Sequence, residues 1–361
     1  MIKRIFAVIL TLAVLLTACA CSLFPKPAEP TPEPTAEPSA EPSAEPTEEP
    51  AETPAPTPMP TPAPEPLPEG VPEGIGEYAR ECVLRARDIM DELTGFVESS
   101  PIPCDSAVYP FVPADKRASL SPEEAAIYDA MLSAAVGFED AVFDGEPEAL
   151  ENALAALYFD HPEIEVYFSA EVDEEDGSWY SVFFVPEARY ADPFRSDDAR
   201  MEELKSQLEA FEVTGRYVAS RVPEELSAID KYRLLALYIS EISQYAHVHG
   251  EIPRYATTAY GAVINGYSIC QGYALGFEYL CRLANLDCRR VRNEFNDENM
   301  HFWDIVTLDQ GTYYVDVTWC DGSVSDCHER YWLYWFMFTA EKNHVANDGT
   351  TTTGAPLGLY P

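Results

Sequence analysis

Apolar positions recur at helical spacing from Tyr78 to Phe96, at Cys82, Val83, Ala86, Ile89, Met90 and Leu93, and predict a helix that Gly95 helps to stop. In "SPEEAAIYDAMLSAAVGF" the same period returns behind Ser121, with Pro122 at the first helical position and Glu124 placed for a capping box. This predicts a helix to about Val136. A third helix is expected from about Glu146 to Phe159, where Pro162 blocks continuation. The pattern then changes to two strand-like runs, "EIEVYFSAEV" and "SWYSVFFVP", which the acidic turn "DEEDG" joins as a hairpin. Long helical stripes cover 197–222 and 223–243, the second carrying Leu226, Ile229, Leu234, Leu235, Tyr238, Ile239 and Ile242 on one face. After a loop-like stretch, one more helix is expected from Cys270 to about Ala284. Four strand-like runs follow, "CRRVRNEF", "HFWDIVTL", "TYYVDVTW" and "YWLYWFMF", with "DQG" at 309–311 turning between the middle two. Helices early and antiparallel strands late predict an α+β class, not a doubly wound parallel sheet.

Before residue 70 the periodicity disappears. Residues 1–18 have a basic start at Lys3 and Arg4, an apolar run from Ile5 to Leu16 and then small residues, the layout of a secretion signal. The run is short for a transmembrane span, which needs roughly 20 apolar residues. Leu16-Thr17-Ala18-Cys19 resembles a bacterial lipobox, which implies cleavage before Cys19 and lipid attachment to it, with Cys21 a weaker choice. Residues 19–69 repeat Ala-Glu-Pro-Ser/Thr, and proline at this density supports neither helix nor sheet. A disordered, partly polyproline II stalk is expected, reaching on the order of 100 Å at about 3.1 Å per residue. The globular part then divides into an N-terminal α+β region over 70–222 and a second domain over 223–361.

Charge and cysteine content narrow the function. The chain has 62 acidic and 23 basic residues; 10 and 3 of them precede residue 70, which leaves 52 and 20, a net of -32 for the globular part. So acidic a surface argues against nucleic acid and against direct docking on anionic lipid. Seven cysteines lie beyond the signal: Cys82, Cys104, Cys270, Cys281, Cys288, Cys320 and Cys327. Their spacing lacks the paired CxxC of a structural zinc site, and no metal or cofactor is expected. Proximity favours Cys320 with Cys327, and Cys82 with Cys104, as disulfides. "HVHG" puts His247 and His249 at i, i+2, but a solvated loop is the plainer reading. The aromatic run "YWLYWFMF" reads as a buried strand before it reads as a sugar-stacking surface.

Three residues fall where thiol chemistry needs them. Cys270 opens a helix, whose unpartnered N–H groups and partial positive charge favour a thiolate. His301 begins one strand and Asp316 sits on the next, so a hairpin sets an imidazole beside a carboxylate that fixes its orientation. The Cys270 N–H is placed to help hold an oxyanion. Each also has a bland reading: a core thiol, a satisfied sheet histidine, a turn-capping aspartate.

The run "TAYGAVINGYSICQGYALGFEYLCRLANLDCRRVR", then "HFWDIV" and "TYYVDVTWCD", resembles the core of the bacterial transglutaminase-like superfamily. Looser similarity extends upstream through "DKYRLLALYISEISQYA" and "ALYFDHPEIEVYF". The resemblance implies a papain-like core, a Cys-bearing helix packed on an antiparallel sheet, with Cys270, His301 and Asp316 as nucleophile, base and orienting acid. It marks Tyr260 and Gln271 as oxyanion or positioning candidates. Asp304 stands where the family has Asn, and Cys320 where it has Asp. The implied activity is acyl transfer through a thioester. Hydrolysis of extracellular protein or peptidoglycan peptides is preferred, because many bacterial members look like proteases. Protein cross-linking is the alternative, and a lipid-anchored binding module on the cell surface that keeps the fold without turnover is the rival.

Overall fold

The computed structural model describes residues 65–361 except 114, 174–176, 189–191, 247–251, 294–299, 322–332, 340–343, 347, 358 and 360–361. The signal segment, Cys19, most of the stalk, His247, His249 and Cys327 therefore lie outside the described residues. From Leu67 onward the chain forms one compact unit. Among the described residues no helix is long and apolar enough to cross a membrane.

The architecture is α+β with antiparallel sheets. Helix α1 (Glu77–Ser99) buries the predicted stripe of Cys82, Val83, Ala86 and Met90. Helix α2 (Pro122–Gly137) starts at the Ser121–Glu124 capping box, in which each side chain bonds the other residue's N–H. Helix α3 (Pro147–Asp160) has proline in its first turn, where a missing N–H costs nothing. A small sheet in the order β1-β3-β2 comprises Val142–Phe143, Trp179–Phe183 and Phe168–Val172; β2 and β3 form the expected hairpin. The expected first half of that hairpin is instead a short 3-10 turn over Ile164–Val166. Helix α4 (Asp198–Ser220) packs along α1, and helix α5 (Ala228–Ile242) begins only after Ser227, whose hydroxyl caps it. One contiguous apolar core runs from Ala79 to Met337, so the regions before and after residue 222 share it.

Within the loop-like stretch, two-residue strands β4 (Gln244–Tyr245) and β5 (Tyr267–Ser268) pair in parallel, and a single π-turn covers Gly261–Asn265. Helix α6 (Cys270–Leu283) is buried on nearly every side from Gly272 to Cys281, as expected of a helix apolar all round. It rests on an antiparallel sheet in the order β6-β7-β8 (Cys288–Arg292, Phe302–Leu308, Gly311–Val315), which turns at the expected residues. Strand β7 is covered on both faces. Phe302 meets Cys270 and Ala274 of α6, while Trp303 and Ile305 meet Phe338 and Ala346 behind the sheet.

Two expectations are corrected. "YWLYWFMF" is buried from Phe336 to Phe338 but is not a strand; its only ladder contacts among the described residues are Phe338 with Tyr314 and the Asp316 N–H donating to the Trp335 carbonyl at 2.9 Å. Rings, not a backbone ladder, close the sheet's back face. Cys82 and Cys104 are both free thiols. Cys82 lies near the start of α1 and Cys104 beyond its end. The helix separates Cys82 from Ser99 by about 25 Å, and the five following residues return at most about 17 Å. The remaining gap exceeds the roughly 7 Å that a disulfide spans.

The start of α6 is held by a glycine. A Cβ on Gly272 would lie 2.1 Å from Ser268 Oγ and 2.5 Å from the Ala256 carbonyl, so only a bare Cα lets the helix abut the turn over Arg254–Thr257. Gly272→Ala is expected to lower stability by about 1–3 kcal/mol and to displace Cys270. Urea unfolding, with Cys270 alkylation measured alongside, checks both effects.

Candidate active site

Cys270 is the first residue of α6, behind Ile269 at the cap, and is 9% exposed. The first N–H groups of a helix have no partner within it, so the Cys270 N–H is the main-chain donor nearest the sulfur. His301 immediately precedes β7. Its backbone is clamped by one residue: the Asn293 side chain accepts the His301 N–H at 2.8 Å, and the Asn293 N–H reaches the His301 carbonyl at 3.2 Å. Asp316 immediately follows β8 and is fully buried.

These placements bring the three predicted residues together. His301 directly precedes Phe302, which packs on Cys270, and its ring is close enough to the Cys270 sulfur for the two to interact electrostatically. Through Nε2 it donates to Asp316 Oδ2 at 2.6 Å. Asp316 also satisfies its bland reading, because its Oδ1 accepts the Trp319 N–H at 3.1 Å and caps the short helix α7 (Val317–Cys320). One carboxylate thus ends a strand, starts a helix and orients a ring.

A fourth residue joins them. His344 Nε2 lies 2.8 Å from the same Oδ2, in a box formed by the rings of Trp303, Trp335 and Phe338. Nothing local marks it: "EKNHVAND" has no period or motif, and its partner is 28 residues away.

Electrostatics follow from this geometry. Burial acts to raise the Asp316 carboxyl, but the charge and hydrogen bond of His301, with the His344 bond, outweigh it and push it down to about 2. A carboxylate in that state only accepts, so both Nε2 atoms must be donors. Burial opposes charge on His301, yet Asp316 and the Cys270 sulfur hold it well above the usual imidazole range. The set can therefore hold a proton on the ring beside the Cys270 sulfur. Trp319, half-exposed with its ring 5.7 Å from that of His301, forms the apolar edge of the site.

The two auxiliary candidates are engaged elsewhere. Tyr260 is fully buried; its hydroxyl meets those of Tyr78 at 2.9 Å and the Glu187 carboxylate at 3.2 Å, and burial raises its pKa. It belongs to the core. Gln271 donates through Nε2 to Glu165 at 3.0 Å, and Arg290 approaches the same carboxylate at 3.5 Å. The turn over Ile164–Val166 thereby braces the start of α6, a role for Glu165 that its sequence did not reveal. Cys281 and Cys288 are free, fully buried thiols close to each other, and burial raises both. Cys320 is buried on α7, and its expected partner Cys327 lies outside the described residues.

His301, Asp316 and His344 offer ligand atoms within 4.8 Å of one another. The two nitrogens stand at hydrogen-bond distance from the oxygen, whereas ligands about 2.1 Å from a tetrahedral ion sit roughly 3.3 Å apart. The spacing fits shared protons better than a cation. No family model and no curated protein matches this chain.

Asp304, at the position where an Asn was expected, contrasts with Asp316. It is fully buried, and only Cys288 Sγ reaches its Oδ1, at 3.7 Å, while Oδ2 has no partner. Burial first, then the nearby Glu278, raises its pKa well above the carboxylate range, with Arg290 opposing. The folded protein therefore keeps a proton that the unfolded chain releases above about pH 4. Stability contributed at low pH is lost as pH rises toward the folded pKa, by up to about 1.4 kcal/mol per pH unit. Asp304→Asn is expected to match the parent near pH 4 and to exceed it increasingly at higher pH, as read by urea midpoints across that range.

Proposed function

We propose that this protein is a transglutaminase-like, papain-like thiol enzyme, anchored outside the cytoplasmic membrane through lipid on Cys19, that hydrolyses peptide or carboxamide bonds of extracellular protein or peptidoglycan peptides. The observation that carries the reading is the placement of His301 between the other two: its Nε2 is 2.6 Å from Asp316 Oδ2, and the next residue, Phe302, packs on Cys270. Sequence order and the placement of the sulfur at a helix start agree with it.

In this mechanism the Cys270 thiolate attacks the carbonyl carbon, and the Cys270 N–H stabilises the oxyanion. The tetrahedral intermediate collapses as His301 gives its proton to the departing amine, which leaves a thioester. His301, now a base, takes a proton from water; the hydroxide adds to the thioester, and collapse releases the acid and regenerates the thiolate–imidazolium pair. Asp316 keeps the ring oriented and charged throughout. Half-exposed Trp319 beside His301 offers an apolar face for a substrate side chain.

Iodoacetamide labelling near neutral pH with peptide mapping tests the nucleophile, with Cys104 as internal reference. Cys270 is expected to react at least about tenfold faster, and His301→Ala to abolish the difference. With peptides bearing Gln and Lys, ammonia release without cross-linked product is expected, and His301→Ala is expected to lower kcat/KM by about 10²–10⁴. Cross-linked product would overturn hydrolysis while keeping the nucleophile. A Cys270 no faster than Cys104 would overturn the enzyme reading in favour of a binding module.

A further inference from the structure

Two imidazoles share one carboxylate oxygen, and only one of them reaches the sulfur. The second, His344, is 4% exposed. Its ring is packed edge-on to Trp303 at 4.7 Å and to Phe338 at 4.9 Å, and lies 5.4 Å from Trp335. The aromatic box fixes the ring plane, and the fixed plane aims Nε2 at Asp316 Oδ2. Trp303 and Phe338 belong to the cluster that closes the back of the sheet, and Trp335 packs against that cluster. His344 therefore reaches the carboxylate from this aromatic cluster, with its ring 5.7 Å from that of His301.

Asp316 accepts three N–H bonds: His301 and His344 on Oδ2, and the Trp319 backbone on Oδ1. With the Trp319 bond alone a carboxylate at a strand end still swings about its Cα–Cβ axis. A second fixed donor on the other oxygen removes that freedom. The orientation of Asp316 sets the His301 ring, and a misplacement of about 1 Å in such a group costs on the order of 10²-fold in rate.

We propose that His344 is a positioning residue of this site, which locks the Asp316 carboxylate through its Nε2–H and thereby holds His301 in register with Cys270. The inference rests on the thiol-enzyme reading above and extends it to a residue outside the three motifs that carry the resemblance. Among the described residues, Asp304 across the strands and Cys320 on α7 also interact with the Asp316 charge. Loss of the His344 bond removes one of the causes that hold the Asp316 carboxyl down, so the acid limb of any Asp316-dependent rate moves to higher pH.

Two variants separate the hydrogen bond from the packing. His344→Phe fills the aromatic box without a donor, and His344→Gln keeps a donor at similar reach. Alkylation of Cys270 by iodoacetamide is followed by peptide mapping from pH 4 to 9, with the melting temperature recorded for each protein. His344→Phe is expected to slow the reaction at pH 7 by about 10- to 100-fold and to shift its acid limb upward. His344→Gln is expected to stay within about threefold of the parent. The bond is read independently of reactivity in nitrogen-15-labelled Cys270→Ala protein. There two strongly hydrogen-bonded imidazole Nε2–H signals are expected, one of which His344→Phe removes while shifting the other.

A folded His344→Phe protein that alkylates like the parent overturns the proposal. So does a His344→Gln protein as slow as the phenylalanine variant, which would assign the effect to packing. About one equivalent of transition metal in the parent, lost in His344→Phe, would make the cluster a metal centre instead. If Cys270 of the parent reacts no faster than Cys104 while both Nε2–H signals are present, the thiol-enzyme reading fails and the lock on Asp316 stands. Absence of the His344 signal overturns the lock, and it does so even if phenylalanine unfolds the chain.

Discussion

A carboxylate removed from water is costly unless donors replace the solvent it has lost. Asp316 meets that requirement with two ring N–H groups and one backbone N–H, drawn from three separate stretches of chain. The strand that ends at Val315, the short helix that begins at Val317, the residue before β7 and the coil around His344 are all fixed relative to one another by this group. The position of His301 near the Cys270 sulfur depends on it, because the carboxylate holds the His301 Nε2 while the Trp303, Trp319 and His344 rings pack around the imidazole.

The sheet presents two buried carboxyl groups with opposite fates. Asp316 stays charged because its lone pairs are filled, whereas Asp304, with one weak thiol contact and an acidic neighbour, is held toward its neutral form. Residue type does not distinguish them; the supply of donors does. The same contrast separates the cysteines. Cys270 sits at a helix start beside an imidazole, while Cys281, on the same helix, and Cys288 face each other where burial disfavours a thiolate. Position along α6 thus sorts one thiol into a polar setting and another into the core.

Much of this was legible in the sequence where the determinants are local. The Ser121–Glu124 capping box, the helix opening at Cys270 and the hairpin turning near Asp309 follow from short-range patterns, whereas the grouping of Cys270, His301 and Asp316 was expected chiefly from the resemblance of three separate motifs. The failures are tertiary in origin. "YWLYWFMF" has the composition of a strand, but the back of the sheet needed bulk, and ring packing satisfied it without a ladder. Tyr260 lies in the right motif, yet the π-turn that follows it coincides with a side chain turned toward Tyr78 and Glu187, groups supplied from far upstream. For Gln271 the sequence left a positioning role and a solvent-facing one open, and the structure gives its amide to Glu165. His344 was invisible because a lone histidine carries no information about a partner 28 residues away.

The back-face coil has a further meaning when the chain is considered in its order of synthesis. Cys270, His301 and Asp316 are all made before Phe338, His344 and Ala346, the residues that cover Trp303 and complete the donor set of the carboxylate. Until that coil has docked, β7 has one bare apolar face and Asp316 lacks a donor. The sulfur's surroundings therefore cannot be completed before the last part of the chain has been added. A chain interrupted late in translation would carry every motif residue and still lack the finished site.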